Sequence, residues 1–180
     1  MITLQTRRLV LAPCQPGDAA DFIGLERDAE VMRFLHRGAV DHNAVGSQDV
    51  SFLMPRGNES YVWTARRKDD EAFVGWFCLY PEAPVLAELG YRLKRDGWWQ
   101  GLATEGAGAL VDWGFGQAGY ETIFAGTMAV NLGSRRVMEK LGMTHVATDF
   151  PVFDDPIPGT EEGEVRYELE RRDWQAGKPL

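Results

Sequence analysis

Hydrophobic positions along the chain change period several times, and each change marks an element. Leu9, Leu11 and Pro13 alternate with Val10 and Ala12, the two-residue period of a short strand that Pro13 closes. Helical spacing follows, with Phe22 and Leu25 in residues 18–27 and Val31, Phe34 and Leu35 in residues 29–36, before Gly38 breaks the pattern. Residues 43–54 read as a further helix, stopped by the turn sequence Pro55-Arg56-Gly57-Asn58. From Tyr61 the period returns to two. Tyr61, Trp63 and Ala65 alternate with Val62, Thr64 and Arg66, a charged turn follows at Lys68-Asp69-Asp70, and residues 73–80 are continuously apolar. That pattern predicts a hairpin entering the core.

Beyond a proline-bounded connection at residues 81–84, Ala87, Leu89, Tyr91 and Leu93 share one face of a strand, and Glu88, Gly90 and Arg92 the other. A carboxylate and a glycine thus share a face. Ala103, Ala107, Leu110, Val111 and Gly114 mark a helix with a small-residue stripe suited to close packing on a sheet. Residues 122–130 read as a strand. Asn131 then caps a helix carrying Val137, Met138 and Leu141, which Gly142 ends in the left-handed conformation. Residues 143–150 and 164–170 read as closing strands around an irregular loop of Pro, Gly and acidic residues.

A length of 180 residues suits one domain spanning residues 1–180 with one core. Hydrophobic residues at 44% and charged residues at 26% exclude a disordered or fibrous chain. The apolar stretch after Arg7 and Arg8 ends after five residues at Pro13 and Cys14, too few for a signal-peptide core, so a cytoplasmic protein is expected. Cys14 and Cys78 lie far apart without metal-ligand spacing and read as small buried hydrophobes. His36, His42 and His145 show no such spacing either, so no metal is expected. The formal net charge of -8 repels phosphate backbones and anionic membranes, which argues against nucleic acid or a membrane as partner. Residues 149–170 carry eight acids against the single Arg166; such a run is a solvated face or an acidic rim that attracts an amine.

Gly114-Phe115-Gly116-Gln117-Ala118-Gly119 spells the dinucleotide-binding fingerprint, but it closes a helix and feeds a strand, the inverse of the context that fingerprint requires. More informative is Trp98-Trp99-Gln100-Gly101-Leu102-Ala103-Thr104-Glu105 between a strand and a helix. Gly101 permits close backbone approach and Ala103 keeps the entrance open, so the turn is either an ordinary glycine-containing helix start or an anion site for a pyrophosphate. The strand Ala87-Glu88-Leu89-Gly90-Tyr91-Arg92-Leu93 precedes it. The segment Asn131-Leu132-Gly133-Ser134-Arg135-Arg136-Val137-Met138-Glu139-Lys140-Leu141-Gly142-Met143 follows, with a polar first helical turn. In this order the three pieces resemble the GNAT superfamily of acyl-CoA N-acyltransferases, most closely its RimJ/RimL-like branch. Trp98, Gly101 and Ala103 match that family's phosphate turn, with Trp98 in place of its first polar residue. The similarity extends to Thr6-Arg7-Arg8-Leu9-Val10-Leu11, Asp28-Ala29-Glu30-Val31-Met32 and Arg166-Tyr167-Glu168-Leu169.

The resemblance implies an α+β (mixed α/β) fold: a central twisted, mostly antiparallel sheet of about six to seven strands flanked by helices, with two splayed parallel strands forming the acyl-CoA cleft. It implies acetyl-CoA as co-substrate, its pyrophosphate on the amides of Trp99, Gln100, Gly101, Leu102, Ala103 and Thr104 beside Trp98, and its pantetheine against the backbone of Tyr91, Arg92 and Leu93. Asn131 would meet the pantetheine, and Arg135, Arg136 and Lys140 the adenosine phosphates. Glu88 is the implied base, through a water, or else an exposed strand glutamate or an ion-pair partner of Arg92; Ser134 is the group assisting the departing thiolate, or else a polar residue of the helix's first turn. The tyrosine many relatives use as general acid is missing, with Val137 and Met138 in that region. The expected reaction is direct acetyl transfer to a primary amine, either a protein N-terminus or a small cationic amine; the family also suggests a homodimer. A non-catalytic acyl-CoA-binding module with the same fold is the alternative.

Overall fold

The computed structural model describes residues 2–35 and 57–177. Among the described residues eight strands form one sheet: β1 (Leu4–Gln5), β2 (Leu9–Pro13), β3 (Val62–Arg67), β4 (Phe73–Ala83), β5 (Leu86–Leu93), β6 (Thr122–Met128), β7 (Thr144–Asp149) and β8 (Glu164–Glu170). Their order across the sheet is β1-β2-β3-β4-β5-β6-β8-β7. Every neighbouring pair is antiparallel except β5 and β6. The count exceeds the expected six to seven because of the two-residue β1, too short to leave a periodic signal. The helices are α1 (Ala19–Arg27), α2 (Ala29–Met32), α3 (Leu102–Trp113), α4 (Leu132–Lys140) and α5 (Arg171–Ala176).

Strand alternation divides the core between the two faces of the sheet. On one side Leu9, Leu11, Trp63, Phe77, Leu79, Ala87 and Leu89 pack against Leu102, Ala107, Leu110 and Val111 of α3. On the other, Val62, Phe73, Trp76 and Cys78 meet Cys14 and the α1 residues Phe22 and Leu25. Phe22 and Phe77 are fully buried, each stabilising the fold by about 1.5–3 kcal/mol through area removed from water. Gly106 of α3 has a packing role: a Cβ there would stand 2.3 Å from Cζ of Phe77, so only glycine lets the helix lie this close to the sheet.

Several boundaries differ from the sequence reading. Tyr61 stands outside β3 with a left-handed φ of 67°. β4 runs through Pro81 instead of stopping at Tyr80. Leu79 is the last residue whose N–H bonds towards β3, at the carbonyl of Tyr61; Pro81 faces the same side beyond the end of that strand, where its missing N–H costs nothing. α2 ends at Met32, before the expected His36. The 114–119 motif forms a wide π-type turn, ended by Gly119 at φ 87°, that leads out of α3 towards β6. α5 had no counterpart in the sequence reading. The expected helix at 43–54, most of the 55–58 turn, His36 and His42 lie outside the described residues.

The connection from β5 to β6 goes through α3, as parallel neighbours require. These two strands pair only at Leu86 with Thr122, Ala87 with Ile123 and Glu88 with Phe124. Beyond that, β5 stays with β4 as far as the pair of Leu93 with Gly75, and β6 stays with β8 as far as Met128 with Glu164. Each strand keeps its outer neighbour, so the sheet opens into a notch whose inner edges have no strand partner among the described residues.

Candidate active site

The connection leaving β5 forms one end of the notch. Trp98 donates its indole N–H to the Leu93 carbonyl at 2.9 Å, tying the turn to the end of the strand. Trp99 takes a φ of 60° and remains 79% exposed. Gly101 follows at φ 76°, a left-handed conformation that costs a non-glycine residue about 1–2 kcal/mol. The first backbone bond into α3 runs from the Glu105 N–H to the Gly101 carbonyl at 3.0 Å. The N–H groups of Leu102, Ala103 and Thr104 therefore have no partner within the helix, and with its dipole they make a site for an anion.

Glu105, in that same first turn, is directed elsewhere. Its carboxylate accepts from Thr6 Oγ1 at 2.6 Å and from the Arg8 backbone N–H and Nε, both at 2.7 Å. Burial opposes ionisation there, but these hydrogen bonds hold the carboxyl below its ordinary range. Arg8 in turn donates to the Gln100 carbonyl at 2.9 Å. An Arg8 nitrogen lies 3.6 Å from where a Gly101 Cβ would stand. This arginine at the anion turn was not anticipated as a site residue; it lies 97 positions from Glu105, and no local pattern joins them.

The walls of the notch come from β5 and α4. Asn131 caps α4, its Oδ1 accepting from the Ser134 N–H at 3.2 Å while its Nδ2 donates to Thr127 Oγ1 at 3.0 Å. The Ser134 hydroxyl lies 2.9 Å from the Tyr91 hydroxyl, which approaches from β5. Arg136 and Lys140 line the cleft one helical turn apart. Arg135 does not: it donates to the Tyr167 hydroxyl at 3.1 Å and the Ala129 carbonyl at 3.0 Å, on the side of α4 that packs on the sheet. Leu102 is wholly buried in the core, so it offers the cleft only its backbone. Gln100 lies outside the cleft lining, with Arg67 donating to its Oε1 at 3.3 Å.

At the far end stand Glu88, Gly90 and Arg92, opposite Tyr80, Cys78 and Trp76 of β4. A Cβ at Gly90 would come within 2.7 Å of Cys78 Sγ. Burial, then repulsion from Glu82, raises the Glu88 carboxyl above its ordinary range against the opposing pull of Arg166. Arg92 is not its ion-pair partner. The guanidinium lies over the Trp76 ring, 5.3 Å from its centroid, donates to Met32 Sδ at 3.6 Å, and feels Glu26. Burial lowers its pKa to about 10. Arg92 thus contributes backbone to the notch and its side chain to the opposite face of the sheet. Glu30, Val31, Arg33, Phe34 and Leu35 close this end, where the Trp76 indole N–H is buried with no hydrogen-bond partner among the described residues.

One cleft of about 480 Å³ joins the anion turn, the notch and the Glu88 end. Among the expected residues it is lined by Glu88, Ser134, Tyr91, Arg92, Leu93, Trp98, Trp99, Gly101, Ala103, Thr104, Asn131, Arg136 and Lys140. None of the acids from Asp149 to Glu170 is among the residues that line it. No cluster able to hold a metal ion occurs among the described residues, nor any helix long and apolar enough to cross a membrane.

The mixed α+β architecture, with a parallel pair splaying beside a helix N-terminus, is that of the GNAT acetyltransferases. Residues 8–144 match the acetyltransferase (GNAT) domain. The FsC-acetyl coenzyme A-N(2)-transacetylase of Aspergillus fumigatus is 35% identical over 184 residues, covering 96% of this chain and 77% of that protein. A GNAT-family acetyltransferase from Bacillus anthracis superposes with a TM-score of 0.77 at 21% identity, over 95% of this chain and 99% of that one. Spermidine N-acetyltransferase from Vibrio cholerae, in complex with CoA and spermine, gives 0.75 at 13% identity, over 93% and 98%. At these identities the two structures bear on the fold alone. The chain belongs to the GNAT acetyltransferase family and is an acetyl-CoA-dependent N-acetyltransferase.

Proposed function

We propose that the chain binds acetyl-CoA in the β5/β6 notch and transfers its acetyl group directly to a primary amine within a ternary complex. The observation that carries this reading is the single cleft joining three N–H groups at the start of α3 to a half-buried carboxylate on β5. The residues present suit the co-substrate. Gly101 leaves room for close approach, the Leu102, Ala103 and Thr104 amides point at a pyrophosphate, and the unpaired edge of β5 at Tyr91 to Leu93 accepts an extended amide-bearing arm as an added strand. Arg136 and Lys140 add positive charge for the adenosine phosphates.

Acetyl-CoA supplies the activated acyl group as a thioester. Glu88 removes the proton the ammonium must lose, directly or through a water, and its raised pKa suits that task near neutral pH. Ser134 hydrogen-bonds the leaving sulfur. Holding both substrates in one cleft lowers the barrier by up to about 7–11 kcal/mol, against a factor of about 10²–10⁴ from proton transfer, so positioning dominates.

The acceptor is a small-molecule amine or a protein N-terminus. The Aspergillus relative, an N(2)-transacetylase by name, supports the first. The turn and helix motifs support assignment to the RimJ/RimL-like branch; a cytoplasmic location and a homodimer complete the proposal. Incubating the protein with acetyl-CoA and a panel of small amines and peptides, while following free thiol, tests the function. Amine-dependent thiol release with matching acetylated product is expected; tight CoA binding without release by any amine would favour the non-catalytic module.

A further inference from the structure

The described part of α4 offers no phenol to the notch: after Ser134 come Arg135, Arg136, the half-buried Val137 and the buried Met138. A phenol nevertheless reaches the same place from β5. Tyr91 packs beside Phe77, with ring centroids 6.0 Å apart, and brings its hydroxyl to 2.9 Å from Ser134 Oγ, with the Ser134 carbonyl, 3.3 Å away, as the longer second acceptor of the same phenol proton. Ser134 is held from the other wall by Asn131, itself tied to Thr127 on β6. The contact thus bridges the notch where the two strands have already parted, and both of its residues line the cleft.

We propose that Tyr91 is the positioning residue for Ser134: its hydroxyl donates to Ser134 Oγ, which turns the Ser134 proton towards the sulfur of the departing CoA. This rests on the reading that acetyl-CoA occupies the notch. Burial pushes the Tyr91 phenol up to about 12 against the opposing hydrogen bond with Ser134, so at neutral pH the phenol is protonated and able to donate. When the thioester C–S bond breaks, its electron pair stays on sulfur and the Ser134 proton moves to it. The Tyr91 proton replaces the one Ser134 has lost, and cleft water reprotonates Tyr91. The ammonium gives up two protons, one before it attacks and one from the nitrogen of the tetrahedral intermediate; both pass through Glu88 to cleft water, where one makes good the proton returned to Tyr91 and the other is released, so CoA leaves as the thiol with one proton set free per turnover.

A test independent of the acceptor is the ionisation of the CoA thiol in its complex with the protein. It is followed by thiolate ultraviolet absorbance against the desulfo-CoA complex. Hydrogen bonding to the thiolate lowers a thiol's pKa from the ordinary value of about 8.5. The protein's own thiols do not interfere, because burial raises Cys14 to about 11 and Cys78 to about 12. Glu88 on the opposite sheet face and Arg136 and Lys140 on α4 also act on the bound thiol, but they are common to all variants compared. Tyr91→Phe keeps the ring and removes only the hydroxyl. It should leave the CoA Kd within about threefold and reduce the thiolate-to-thiol ratio at fixed pH about tenfold, one unit of pKa. Ser134→Ala should do the same, and Tyr91→Phe should add nothing in that background. A wild-type titration in Tyr91→Phe, or a full additional shift in the double variant, overturns the inference. Should Tyr91→Phe fail to fold, a wild-type titration in Ser134→Ala overturns it equally, and a shift in Ser134→Ala sustains the serine on which it depends. Failure of the wild-type protein to bind CoA would instead refute the proposed function.

Discussion

Gly101 is where backbone geometry and ligand binding are joined most tightly, and its replacement by valine has consequences that can be worked out separately for the two. The left-handed φ of 76° costs any L side chain about 1–2 kcal/mol. The space itself is permissive, since a Cβ would meet only an Arg8 nitrogen at an ordinary 3.6 Å. The variant should therefore fold, with Tm lowered by about 2–8 °C for a chain of this size. Binding is affected more. The valine methyls would stand between the incoming pyrophosphate and the Leu102 to Thr104 amides, and a hydrogen bond to a charged group contributes about 1.5–3 kcal/mol. Losing two of them removes about 3–6 kcal/mol, or about 10²–10⁴ in Kd. Calorimetric titration with CoA measures the loss, thermal unfolding verifies the fold, and Gly101→Ala should give an intermediate affinity. A folded Gly101→Val protein that binds CoA with wild-type affinity would refute the assignment of the pyrophosphate to this turn.

Replacing Glu88 by glutamine should lower kcat by about 10²–10⁴ near neutral pH, with partial recovery as pH rises and the amine deprotonates unaided; unchanged turnover would move the base elsewhere. Because the folded state raises the Glu88 pKa, stability due to its protonated form is present below the ordinary carboxyl range and lost as pH rises through the folded value, so Glu88→Gln should be more stable than wild type at pH 8 in urea melts. Glu105 has the opposite sign: its folded pKa is depressed, so its contribution is present above the ordinary value and lost as pH falls. Glu105→Gln should cost about 1.5–3 kcal/mol at pH 7, and its deficit relative to wild type should shrink as pH drops below about 4. Gly106→Ala should destabilise by about 1–3 kcal/mol, because its methyl would strike the Phe77 ring; a neutral result in thermal melts would mean that α3 can move off the sheet.

What was legible in the sequence was what local patterns encode. The alternation at Ala87, Leu89, Tyr91 and Leu93 places those residues and Glu88 on opposite faces, and Gly101 stands at the start of the helix it was expected to open. Elements without periodicity were not legible: β1 has two residues, and α5 is one short amphipathic turn and a half. Pro81 suggested an end to β4 because the length of the neighbouring β3, which makes proline harmless there, is a tertiary fact. The same holds for Arg8, which the fold sets against Gln100 and Glu105, and for Trp76 at the far end of the cleft. The Tyr91 hydroxyl could not be anticipated at Ser134 either, since 43 residues and a crossover helix separate them. That the acids of 149–170 stay out of the cleft lining was not legible either, because composition does not reveal which side of a sheet a segment borders.

A structure of the protein with CoA bound tests the central claim most directly. Pyrophosphate oxygens are expected about 2.9 Å from the amide nitrogens of Leu102, Ala103 and Thr104, with the pantetheine running along the free edge of β5 and the sulfur at Ser134. CoA lodged outside the β5/β6 notch, or lying in it with the thiol turned away from both Glu88 and Ser134, would contradict it.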